Sequence, residues 1–104
     1  MDPAKQTQLA DLKARFDDLV LAVLGPLRLR KQVDAGAMNE LKNVLDELRL
    51  LLGDEPYVPR KFTGELWFIF MAMLAEADHA KDPEPILREA WDVAERLQGI
   101  FGPR

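Results

Sequence analysis

The sequence predicts an all-α protein: a small four-helix, mostly up-and-down bundle with a kink or short extra helical turn near residues 25–33. Three observations predict it. Apolar residues recur at steps of three and four in four separate segments, and never at a sustained step of two. Most of the seven prolines stand at the edges of those segments or between them. The balance of 48% apolar and 31% charged residues over 104 positions is that of one globular domain, spanning residues 1–104. A chain of this length buries about 60–70% of its unfolded surface, enough for a core without covalent staples.

The first helix begins with Asp2 as cap and Pro3 at its first position. Leu9, Leu12, Phe16, Leu19, Val20, Val23 and Leu24 form its apolar face, and Asp11 and Arg15 are spaced to pair on the other side. Gly25-Pro26 breaks or kinks it, because proline has no N–H for the helix ladder. The next stretch, Leu27-Arg28-Leu29-Arg30, alternates like a strand but has no second strand to pair with. It is read as a short helical turn or a bent continuation.

The second helix runs from about Ala37 to Leu52, with Met38, Leu41, Leu45, Leu48 and Leu52 on its face and Gly53 as its stop. Residues 54–61, DEPYVPRK, form a connection stiffened by two prolines. The third helix covers Pro59 or Phe62 to His79. The fourth starts at Asp82-Pro83, read as a cap and a first-turn proline, and presents Ile86, Leu87, Ala90, Trp91, Val93, Ala94, Leu97, Ile100 and Phe101.

Composition excludes several classes of chemistry. The chain has no cysteine and no serine; its hydroxyl side chains are Thr7, Thr63 and Tyr57. Disulfides, thiolate metal sites and Ser-His-Asp or Cys-His catalysis are therefore ruled out. The six glycines are scattered at helix ends and turns and make no phosphate-binding loop. No enzyme activity and no cofactor are expected.

The net charge of −4 and pI near 4.9 disfavour nucleic acid and anionic lipid, despite local clusters at Arg28, Arg30 and Lys31 and at Arg60 and Lys61. The longest apolar run, Leu66 to Ala75, spans about 15 Å as a helix, half a bilayer core. The polar start MDPAKQTQLADLK has no signal-peptide core. These features point to a soluble, cytoplasmic protein that binds neither membrane nor nucleic acid.

The third helix has more apolar surface than one face can use. Phe62, Leu66, Ile69, Phe70, Met73, Leu74 and Ala77 fall on one side, and Gly64, Trp67, Phe68, Met71 and Ala75 on the other. A helix apolar nearly all round is buried nearly all round. Either the segment near Leu27 and Leu29 covers the second stripe, or another subunit or partner protein does. The candidate partner-binding residues are Tyr57, Arg60, Trp67, Phe68 and Met71, since tyrosine, tryptophan and arginine anchor interfaces. The function expected is a non-catalytic, protein-interaction or regulatory one, with self-association into a homodimer.

Two alternatives stand beside it. Glu76 and His79 share a helix face at the spacing of carboxylate–histidine bundle metal sites, with Glu65 on the same line. Such sites use the motif twice, and His79 is the one histidine, so no metal is expected from a single chain. The acidic balance also suits an immunity-type inhibitor of a basic partner protein. Whatever the function, circular dichroism of the purified protein is expected to be dominated by helix; a substantial sheet signal would contradict the architecture.

Overall fold

Two aspartates start the first half of the molecule. In the computed structural model, which describes residues 1–102, the Asp2 carboxylate accepts the Lys5 N–H at 2.8 Å and α1 (Pro3–Arg30) follows. Asp34 accepts the Ala37 N–H at 3.0 Å and starts α2 (Ala35–Leu52), two residues earlier than its apolar period indicates. A side-chain cap of this kind contributes about 1 kcal/mol.

α1 does not break at Gly25-Pro26. It continues as one helix of 28 residues, about 42 Å at 1.5 Å per residue, which sets the 46 Å long dimension of the molecule. Proline costs a helix interior about 3 kcal/mol. Here Val23, Leu24 and Leu27, on both sides of Pro26, are buried in the core, and their burial offsets that cost. The helix stops at Lys31, whose backbone turns left-handed at φ 52 and whose N–H donates to the Leu27 carbonyl. At Gly53, after α2, φ is again positive, 51, where glycine is free of the Cβ clash.

α3 (Arg60–Asp78) and α4 (Glu84–Phe101) begin without side-chain caps. For α3 the Pro59 carbonyl takes both the N–H and the hydroxyl of Thr63. The expected cap at Asp82 is not there: the cap position falls on Pro83, with Pro85 in the first turn. A proline in the first turn removes one of the donors that a cap would have to satisfy, so Asp82 has less to do.

The helices pack α1 on α2, α2 on α4, α4 on α3 and α3 on α1. Ion pairs fix the directions. Lys13 meets Glu65 and Lys31 meets Glu76, so α1 and α3 run the same way. Lys42 meets Glu89, and Asp46 meets Arg96, so α2 and α4 run the same way. Directions therefore alternate along the chain, but α2 and α3 stand at diagonal corners. The loop of residues 53–59 crosses the end of the bundle to join them. Among the described residues the core is entirely apolar and draws on all four helices, with Phe16 and Phe62 meeting edge-on at 5.7 Å.

These helix starts predict unequal responses. Asp34→Ala is expected to lower unfolding stability by about 1 kcal/mol. Asp82→Ala should stay within about 0.5 kcal/mol of wild type, as at an ordinary surface site. Urea unfolding followed by helicity measures both.

Candidate functional site

α3 occupies the corner diagonal to α2, between α1 and α4. Its inner side, Phe62, Leu66, Ile69, Phe70, Met73 and Ala77, is buried. Its outer side is not. Gly64, Phe68, Met71 and Ala75 are exposed, with Phe68 at 53% and Met71 at 59%. The segment of Leu27 and Leu29 does not cover this stripe. α1 runs on through Pro26, which puts Leu27 in the core and leaves Leu29 exposed on the last turn.

Both flanks of the outer side are also apolar. Towards α4, Trp67 packs edge-on against Phe70 at 6.2 Å and lies tilted against Phe101 at 6.5 Å, and Phe70 meets Trp91 at 5.5 Å. These rings border a shallow cleft of about 370 Å³. Towards α1, Phe68 borders a smaller depression with Phe16, Asp17, Val20 and Glu65. Leu21, one turn beyond Asp17, is exposed as well. An apolar band thus runs from Phe68 and Met71 on α3 to Trp67 and on to Trp91 on α4.

Of the five candidate residues, the structure gathers Trp67, Phe68 and Met71 into this band. Tyr57 is exposed on the crossing loop, and Arg60 is the first residue of α3. Trp91 belongs to the band although its sequence period assigns it to the α4 core. It is 60% exposed, because Ile86, Ala90, Val93 and Leu97 already fill the inward face. Leu87, Trp91, Ala94, Gln98 and Phe101, spaced by four and three, form a second line along α4 that betrays this edge.

The residues considered for a metal are engaged elsewhere. Glu65 lies 3.5 Å from the Lys13 ammonium, and Glu76 accepts from Lys31 at 2.6 Å in a half-buried bond. Both tie α3 to α1, so Glu76 does more than solvate a helix end. His79 is exposed and closes α3, its backbone N–H donating to the Glu76 and Ala77 carbonyls. Among the described residues no three histidine or acidic side chains converge on a point.

Other ion pairs bind the remaining junctions. Arg15 reaches across to Glu47 on α2 at 2.8 Å rather than pairing with Asp11 on its own helix. Between α2 and α4, Lys42 sits 2.6 Å from Glu89 and 2.8 Å from Asp92, and Arg96 bonds both Asp46 and Asp92. Burial pulls the Lys42 ammonium down, but its hydrogen bonds to Asp92 and Glu89 outweigh burial and raise it. The Lys42 hydrogen bond, with Arg96 beside it, holds the Asp92 carboxyl below the usual carboxylate range.

The sign of the Asp92 effect is definite. Its folded pKa lies below the unfolded value, so the stability it contributes is complete above the ordinary carboxylate range. That stability is lost as pH falls through the depressed value. Urea unfolding from neutral pH down to about pH 2, well below the ordinary Asp value, is expected to show a falling acid limb. Asp92→Asn should lower stability at neutral pH and flatten that limb. An acid limb of unchanged depth would contradict the assignment.

Comparison with known proteins gives no relative: no family model, no curated protein and no solved structure matches the chain.

Proposed function

We propose that this chain is a non-catalytic protein-interaction protein that works by burying the outer face of α3 against another protein surface, a second copy of itself included. The observation that carries the reading is the apolar band of Phe68, Met71, Trp67 and Trp91, exposed along the outer side of α3 and its junction with α4. Contiguous apolar patches of this kind mark interaction sites, whereas isolated exposed apolar residues do not. Tryptophan and methionine are also the residue types enriched where interfaces are driest.

The charged groups support the same reading by being occupied. Lys31 donates a hydrogen bond to Glu76 and Lys13 stands 3.5 Å from Glu65, which argues against a carboxylate–histidine metal centre. The basic clusters do not form one patch. Arg28 and Arg30 end α1, while Arg60 and Lys61 begin α3, and the two helices are parallel neighbours. The clusters are therefore some 25–30 Å apart along the bundle, at about 1.5 Å per residue. That spacing and the acidic balance speak against a nucleic-acid partner. No helix among the described residues is long and apolar enough to cross a membrane. A cytoplasmic protein acting on other proteins fits these features.

Phe68→Glu and Met71→Glu test the surface. Each side chain is exposed, so urea stability is expected to stay within about 0.5 kcal/mol of wild type. Association, with itself in light scattering or with proteins retained from lysate, should weaken at least about tenfold, the loss of about 1.4 kcal/mol at an interface anchor. Full association by both variants would exclude this face as the working surface.

A further inference from the structure

We infer that the occupant of the outer face of α3 is α3 of a second copy of this chain, the two helices lying antiparallel about a twofold axis. The inference rests on the interaction reading above and names its partner. Lys61, Gly64, Phe68, Met71, Ala75 and Asp78 are all exposed, and they follow one another at steps of three, four, three, four and three. That seven-residue repeat is the seam by which helices pair at a shallow crossing angle. α3 thus has two seams: the inner one is filled by its own bundle and the outer one is empty in the single chain.

The order of residues along the outer seam selects the antiparallel arrangement. Read from both ends towards the middle, the seam is a charge, a small residue and a large apolar residue: Lys61 with Asp78, Gly64 with Ala75, Phe68 with Met71. All three pairs share one midpoint, between Ile69 and Phe70. A twofold axis at that level sets Lys61 opposite the partner copy's Asp78 at each end. It sets Gly64 opposite Ala75, where small side chains let the helices approach, and Phe68 opposite Met71 at the centre. A side chain at Gly64 would meet nothing within 4 Å in the single chain, so the close approach it permits is used by no helix of its own bundle. Parallel pairing would instead place Lys61 on Lys61 and Asp78 on Asp78.

Local electrostatics point the same way. Lys61 stands in the first turn of α3 and Asp78 ends the helix, and each is at the end where the helix dipole repels it. Among the described residues neither is held by an ion pair within the chain, whereas Glu65 and Glu76 on the same helix both are. Antiparallel pairing gives each of them an opposite charge and sets each helix end beside its electrical complement.

The surface is also of the right size. Phe68 is 53% exposed, Met71 59%, Trp91 60% and Trp67 37%. At roughly 150–250 Å² for a whole aromatic side chain, these four present on the order of 500 Å². With the flanking charged and backbone atoms, that approaches the roughly 800 Å² per partner of a stable interface. An isologous contact of this kind closes at two subunits.

Light scattering of the full chain over a concentration series is expected to give twice the 11.8 kDa chain mass. Phe68→Glu should move it towards 11.8 kDa with helicity retained. Lys61→Asp alone and Asp78→Lys alone should each weaken the dimer about tenfold or more, since each creates two like-charge contacts. Both changes in one chain should restore it, as should mixing the two single variants. Because the chain has no cysteine, Gly64→Cys with Ala75→Cys in one chain is expected to give an oxidised dimer linked between copies. A wild-type monomer at millimolar concentration would overturn the inference, and so would a dimer indifferent to the charge swaps and without the cross-link. A monomer whose capture of another protein is still abolished by Phe68→Glu would overturn the occupant alone and leave the interaction reading standing. Full self-association and capture by the Phe68→Glu variant would remove both.

Discussion

Burial of the inner seam of α3 between α1 and α4 is the constraint on which the remaining arrangement depends. A helix at the corner of a four-helix bundle has two neighbours and a diagonal, which together cover about half its circumference. Phe62, Leu66, Ile69, Phe70, Met73 and Ala77 fill that half. Ala72 and Leu74 pack at its margins, and the large apolar residues left over, Phe68 and Met71, face outwards. The exposure of Phe68 and Met71 is thus a geometric consequence of a sequence with two apolar sides placed at a two-neighbour corner.

The junctions of α3 differ in character, and the difference shapes the surface. Towards α1, lysines at both ends, Lys13 and Lys31, grip Glu65 and Glu76. Surface pairs of this kind contribute little energy individually, about 0–1 kcal/mol, but they fix the parallel register of the two helices. Towards α4, rings do the joining: Trp67 on Phe101 and Phe70 on Trp91. Phe70 is buried, but Trp67 and Trp91 keep part of their surface in solvent, so the two tryptophans that help close the α3–α4 junction also enlarge the apolar band. Lys31 is the residue where two demands meet. Its left-handed backbone ends α1, a conformation that costs a side-chain-bearing residue roughly 1–2 kcal/mol, and its ammonium is placed on Glu76.

The four helices were legible because a period of 3.6 survives any tertiary detail. The cap at Asp2 was legible because proline follows it. Three features were not. Pro26 reads as a stop because its local cost is certain, while the compensating burial of Val23, Leu24 and Leu27 is a property of the assembled core. Asp82 reads as a cap because aspartate before proline is the usual signal, but the helix begins one residue later, at Glu84 and Pro85. Trp91 reads as core because large apolar side chains normally are. Its exposure follows from the width of the α4 inward face, which Ala90 and Val93 already complete. The outer stripe of α3 was visible in the sequence as a surplus of apolar residues. The neighbour order was not, since a connection of seven residues can lead to an adjacent or a diagonal corner with equal ease.

That diagonal crossing divides the molecule into two halves of unequal kinship. α1 and α2 join through four residues, 31–34, and α3 and α4 through five, 79–83, so each pair closes on itself at small cost in chain entropy. The contacts of α1 with α3 and of α2 with α4 link residues some fifty positions apart, as in Lys42 with Asp92. Local closures are the rapid ones, and remote contacts wait for them. The molecule is thus organised as two helical hairpins, with residues 53–59 as the connection between them. Opening between the hairpins would separate the ion pairs of Lys13, Lys31 and Lys42 together while leaving the Trp67–Phe101 and Phe70–Trp91 stacks intact. The aromatic half of the apolar band therefore lies within a single hairpin.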